Sequence, residues 1–194
     1  NESINPNAVE IPCDGIDNNC NNQTDEGSNF GPNEWIGPNN NGDWDKAMNW
    51  SMGHPPLVCE IVKIGMDGAT VDMTINFDQY TIMKFRHFEV GENTNLTIGE
   101  NCDLTILGGG EFTNNGNIHV DGYINIRDQK NTDNIALLNE GTMVFDSTGG
   151  LWIQNTGNIG VYNTQGASMH FYGFGQIGND YELNDPSTFG VKNE

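Results

Sequence analysis

A short phrase that keeps returning constrains this chain more than any single residue does. A polar turn holding Asn, and in most copies Gly, leads into a strand of alternating apolar residues. It reads Asn93-Thr94-Asn95-Leu96-Thr97-Ile98, then Asn115-Gly116-Asn117-Ile118-His119-Val120. It returns as Asn139-Glu140-Gly141-Thr142-Met143-Val144-Phe145 and as Asn155-Thr156-Gly157-Asn158-Ile159-Gly160-Val161-Tyr162. A strand with one apolar face cannot bury that face alone, so copies must stack, and stacked coils make a β-solenoid. The spacing is uneven: Gly116 to Gly141 is 25 residues and Gly141 to Gly157 is 16. The expected fold is all-β, an irregular right-handed parallel β-helix.

The alternation begins before the repeated phrase. Val71, Met73, Ile75 and Phe77 point one way while Asp72, Thr74 and Asn76 point the other. Tyr80 to Val90 reads as one further strand region, and Gly108-Gly109-Gly110 as a corner, since no phosphate-loop Lys and helix follow it. Helical periodicity is nearly absent, which excludes βαβ enzyme folds. A β-sandwich is the rival, but two-residue hairpin turns are scarce. Asn at the turns tolerates left-handed backbone and, stacked in register, would form ladders along the axis. The expected organisation is an acidic metal-binding loop over 1–27, a Trp/Asn-rich cap over 28–59, the solenoid over 60–178 and a polar tail over 179–194.

The charge balance narrows the partners. With 27 acidic against 7 basic residues the net charge is -20, which disfavours nucleic acid and anionic membranes and favours cations. No apolar run approaches the roughly 20 residues of a membrane span. Four cysteines, Cys13, Cys20, Cys59 and Cys102, suggest disulfides and an oxidising compartment. Three pairings are open; Cys13–Cys20 with Cys59–Cys102 is favoured because the first two share a tight loop. No leader is visible at Asn1, so a mature or trimmed secreted chain is expected.

The segment from Ile4 to Gly27 has almost no apolar content, so burial cannot fold it. A disulfide or a hard cation must hold it instead. Oxygen-bearing side chains fall at every second position: Asp17, Asn19, Asn21, Gln23 and Asp25. That is the presentation used by EF-hand-like calcium loops, and Asp14 and Glu26 are near enough to complete the shell. The run INPNAVEIPCDGIDNNCNNQTDEG closely resembles the metal-binding repeat of bacterial cell-surface and secreted proteins. The resemblance implies Asp14, Asp17, Asn19, Asn21, Asp25 and Glu26 as metal-site residues, with Cys13 and Cys20 as a staple. Asn21 and Asn22 stand where family copies often have Asp and Gly, and the acidic stretch usually preceding I-N-P is missing. Although that family was linked early to copper, copper favours imidazole, thiolate or thioether donors. With Cys13 and Cys20 taken as a disulfide, the remaining donors are all oxygens, and such a set selects Ca2+.

Trp35-Ile36-Gly37, Gly42-Asp43-Trp44 and Asn49-Trp50-Ser51 resemble the opening that precedes parallel β-helices in many bacterial surface proteins. Their rings are expected to close the open apolar end of the first coil. A sugar-stacking platform is the alternative use of the same rings. Asp43 is expected to cap a short helical turn over Asp45 to Met48.

His54, His87, His119 and His170 are scattered and read as ordinary histidines, with His119 facing solvent. No Ser-His-Asp or paired-carboxylate arrangement can be placed by spacing, so no catalytic residue is assigned. The expected role is non-enzymatic: a secreted, calcium-stabilised protein of the bacterial surface or matrix, structural or adhesive. Its partners would be copies of itself, joined head to tail in filaments, or surface and matrix glycans. The alternatives are a carbohydrate-binding accessory module and a polysaccharide lyase.

Overall fold

The computed structural model describes residues 4–8, 16–21, 31–39, 42–58, 60–68, 70–107, 110–127, 135–154, 159–177 and 191–193. After a two-residue strand, β1 (Asn33–Glu34), the strands run in triplets. The first is β2 (Ile61–Ile64), β3 (Val71–Ile75) and β4 (Thr81–Phe85), and the second β5 (His87–Val90), β6 (Thr94–Ile98) and β7 (Cys102–Ile106). The third is β8 (Phe112–Asn114), β9 (Asn117–Val120) and β10 (Tyr123–Ile126). The fourth is β11 (Ile135–Asn139), β12 (Thr142–Phe145) and β13 (Gly150–Ile153). The last is β14 (Ile159–Asn163), β15 (Ser168–Phe171) and β16 (Phe174–Ile177), followed by β17 (Val191–Asn193).

Each strand pairs in parallel with the equivalent strand one coil away, which gives three parallel sheets. Sheet one is β1-β2-β5-β8-β11-β14-β17, sheet two β3-β6-β9-β12-β15 and sheet three β4-β7-β10-β13-β16. This is the expected β-solenoid and not a sandwich of hairpins. The region from Tyr80 to Val90 is two strands rather than one, because the chain turns a corner at Arg86 between β4 and β5.

Period-two alternation turns one face of the strands inward, as in the buried-exposed-buried pattern of β3. Register then converts it into continuous apolar columns. Val62, Phe88, Phe112, Leu137 and Val161 stack along sheet one. Met73, Leu96, Ile118, Met143 and Met169 stack along sheet two. Met83, Leu104, Ile124 and Leu151 stack along sheet three. Full burial of such a side chain contributes about 1.5–3 kcal/mol, so the columns dominate the stability of the body.

Coil length varies where the corners vary. One coil spans 20 residues from Leu104 to Ile124, and the next 27 from Ile124 to Leu151. The first three copies of the repeated phrase stack as β6, β9 and β12. The fourth does not join them: Ile159–Asn163 lies in sheet one against β11. The true successor of β12 is β15, and the 16-residue interval seen in the sequence compares two different positions on the coil.

The glycine of the phrase has a steric cause. A Cβ on Gly91 would come within 2.0 Å of the Gly65 carbonyl oxygen, and one on Gly116 within 2.6 Å of that of Gly91. A Cβ on Gly141 would come within 2.0 Å of the Gly116 carbonyl oxygen. At this corner each coil lies directly on the backbone of the last, leaving no room for a side chain.

Asparagine ladders form as expected, one inside and one outside. At the inner corner Asn114 Nδ2 donates to Asn139 Oδ1 at 2.7 Å, and Asn139 Nδ2 donates to Asn163 Oδ1 at 2.6 Å. Asn114 and Asn139 are fully buried, and their amides also reach the Thr142 and Ser168 carbonyls. On the outer face Asn117 Nδ2 donates to Asn95 Oδ1, and Asn95 Nδ2 to Asp72 Oδ1. A buried ladder of this kind satisfies corner carbonyls that no strand could reach.

The tryptophans close the front. Trp35, Trp44 and Trp50 are 8%, 7% and 1% exposed. Trp50 meets both others edge to face, at centroid distances of 5.1 and 4.7 Å. Trp44 continues onto Phe85, which leads to Phe88 and then Phe112. Trp50 Nε1 donates to the Trp44 carbonyl and Trp35 Nε1 to the Pro38 carbonyl, so burial strands no polar edge. Rings held this way offer no stacking surface for a sugar, which removes the platform expected as an alternative. The expected helical turn is a 3-10 turn at Ala47–Asn49, displaced toward the C-terminus, and no side chain caps it. Asp43 Oδ1 accepts the Asp45 N–H instead.

Candidate metal centre

The sequence places the metal donors ahead of the cap, and the described residues hold three of the seven. Asp17, Asn19 and Asn21 lie in the segment 16–21; Asp14, Gln23, Asp25 and Glu26 fall outside the described residues. Within the segment Asp17 Oδ1 and Asn19 Oδ1 both accept the Asn21 N–H, each at 3.1 Å. Two side-chain oxygens from alternate positions are thus drawn to one point. That point is the Asn21 amide itself, so the two side chains brace the turn from alternate positions. Cys20 adopts a left-handed backbone, φ 60, which turns the chain sharply at that point.

The loop is also tied back on itself. The Asn5 N–H donates to the Asn18 carbonyl at 2.8 Å, and Asn18 is 1% exposed. The Asn7 N–H donates to Asn5 Oδ1, and the Ala8 N–H to the Asn5 carbonyl. The I-N-P stretch therefore closes over the donor turn through polar contacts. This fits a segment with no apolar core of its own.

The favoured disulfides are not found. Cys20 and Cys102 are free thiols, and Cys13 and Cys59 fall outside the described residues. Cys102 begins β7 inside the stack, and its Sγ donates to the Ile75 carbonyl at 3.1 Å. The alternation puts this position in the interior, so Cys102 behaves as a small buried side chain. Burial pushes its thiol above the ordinary range.

A second ligand-bearing cluster lies elsewhere, where the sequence pointed to no site. His119 is on β9 and faces outward, as its neighbours Ile118 and Val120 require. Asp121 follows β9, and Asp146 follows β12 on the next coil. His119 Nε2 stands 3.0 Å from Asp121 Oδ1 and 3.6 Å from Asp146 Oδ2. One donor atom from each residue falls within 4.8 Å of the other two. The signal was present as His119-x-Asp121 and an acid one coil later, but it needs the coil length to be read.

Elsewhere the polar groups serve the coils. Asp103 is buried and accepts from Asn125, Thr105 and Tyr80. Partial burial and this carboxylate push the Tyr80 hydroxyl up to about 12. Glu60 is buried behind the cap, where its carboxylate accepts from Asn33 Nδ2 and the Leu57 N–H. His54 Nε2 lies 3.5 Å from its second oxygen.

A β-solenoid carrying a metal-binding motif at its front is the class these features define. Residues 1–26 match the family model Cu-binding_MopE, described as a "Putative metal-binding motif". No curated protein and no solved structure gives a match. The family name speaks of copper; the described part of the matched segment holds the amide and carboxylate oxygens of Asp17, Asn19 and Asn21 and the exposed thiol of Cys20. Among the described residues no helix is long and apolar enough to cross a membrane.

Proposed function

We propose that this chain is a non-enzymatic structural or adhesive protein of the bacterial surface or extracellular matrix, with Ca2+ ordering its front loop. The uninterrupted parallel stack, closed by tryptophans and preceded by a metal-binding motif, carries this reading. Such a stack transmits force along its axis through backbone hydrogen bonds and needs no partner to hold its shape.

Calcium is chosen on donor chemistry. Asp17, Asn19 and Asn21 bring hard oxygens to one short turn, and the sequence supplies more oxygen donors at Asp14, Gln23, Asp25 and Glu26. Such a set suits Ca2+ better than a borderline or soft ion. A heterologous contact between the two different ends of a solenoid repeats without closing, so head-to-tail assembly gives an open filament. Copies of the chain or surface glycans are the partners that fit this role.

Negative-stain microscopy and sedimentation at high protein concentration test the reading, with Ca2+ and with chelator. Filaments that shorten or disperse under chelator are expected. Monomers alone, unchanged by calcium, would remove the assembly, and cleavage of uronate polymers would remove the non-enzymatic role.

A further inference from the structure

We propose that His119, Asp121 and Asp146 form a second metal site, for a divalent transition ion of the zinc class, which clamps two neighbouring coils together. Three donors bound at about 2.1 Å to one ion stand about 3.0–3.5 Å apart. The imidazole Nε2 lies at 3.0 Å and 3.6 Å from the two carboxylate oxygens, the first within that range and the second just beyond it. One ligand atom from each residue can be taken so that all three lie within 4.8 Å of one another, and a bound ion would draw the two carboxylates together.

The backbone explains why these atoms meet. Val120 pairs with Phe145 at the end of the β9–β12 ladder, and the Asp146 N–H donates to the Val120 carbonyl at 2.9 Å. Asp121 and Asp146 therefore leave the sheet at matching positions on successive coils. Like charges placed directly across a ladder repel. A cation between them reverses that sign, and His119 supplies the donor that selects which cation. Mixed imidazole and carboxylate donors suit Zn2+, Cu2+, Ni2+ or Co2+, whereas an all-oxygen shell suits Ca2+. The two sites thus differ in chemistry: hard at the front loop, borderline on the solenoid wall. Three protein donors leave positions on the ion for water or an exogenous ligand.

The test uses the full chain, with Ca2+ held in excess to engage the front loop. Zn2+ is titrated by calorimetry, and Co2+ is added in parallel for its visible absorption. One equivalent of Zn2+ is expected, with affinity falling more than about tenfold in H119Q and in D146N. D17N and H170Q are expected to bind as the parent does. The Co2+ spectrum is expected to show a coordinated nitrogen that H119Q removes. All three side chains of the site are partly exposed, so the variants are expected to fold, and a far-UV spectrum checks this. Zinc binding that survives in H119Q and D146N, or an absence of zinc binding in the parent, overturns the proposal. A His119 that only lowers stability with pH, without a metal signal, overturns it too.

Discussion

The body and the front of this molecule are stabilised by opposite means. Between β2 and β14 the strands give their apolar faces to columns that run along the stack. Between residues 4 and 21 the described contacts are all polar, with backbone amides answered by Asn and Asp oxygens. The body can fold by removing surface from water. The front has little apolar surface to remove, and on the proposed reading a bound ion supplies its order. Perturbations should therefore act on one region and leave the other unmoved.

The largest effect is expected in the column. Phe112 is fully buried and stacks on Phe88 at 5.4 Å, so Phe112→Ala should cost about 3–5 kcal/mol in urea unfolding. Calcium-dependent protection of the front loop should be unaltered. Next is the inner ladder. Asn139→Ala removes an acceptor from Asn114 and a donor from Asn163 in a dry corner, and should cost about 1–3 kcal/mol. Gly141→Ala should fall in the same range of about 1–3 kcal/mol, because its Cβ would press on the Gly116 carbonyl. Thermal melting with matched controls ranks the three.

Smaller effects sharpen the contrast. Asp17→Asn should change the melting of the body by less than about 0.5 kcal/mol while weakening calcium binding at the front. At the body's surface, burial holds the His87 imidazole below its ordinary 6.5, against the opposing pull of Glu111 and Glu89. The unfolded chain then binds the proton more readily, so stability falls as pH drops below that value, and H87Q should flatten the slope. Cys102 should react with a thiol reagent only as fast as the body opens, since burial raises its thiol.

How much could be read in advance follows the same division. The alternation in Val71–Ile75 and Leu96-Thr97-Ile98 gave the strands, and the stacking followed from their single apolar face. The corners were harder. Arg86 breaks one apparent strand in two without a glycine or proline, because the turn there is made by stacking on the coil below. The fourth copy of the phrase does not stack on the other three, because coils of 20 to 30 residues hide their own period. The front candidates could be named from sequence because their spacing is local. His119, Asp121 and Asp146 were not, because the third donor comes from another coil. Nor could spacing reveal that Cys102 faces the Ile75 carbonyl.

The most direct test is limited proteolysis of the full chain, read by mass spectrometry, with calcium and with chelator. The account predicts that Ca2+ protects cleavage sites within residues 1–27 while the unfolding transition of the body stays where it was. Cleavage of the front at one rate in both conditions would contradict it, as would a body that melts when calcium is withdrawn.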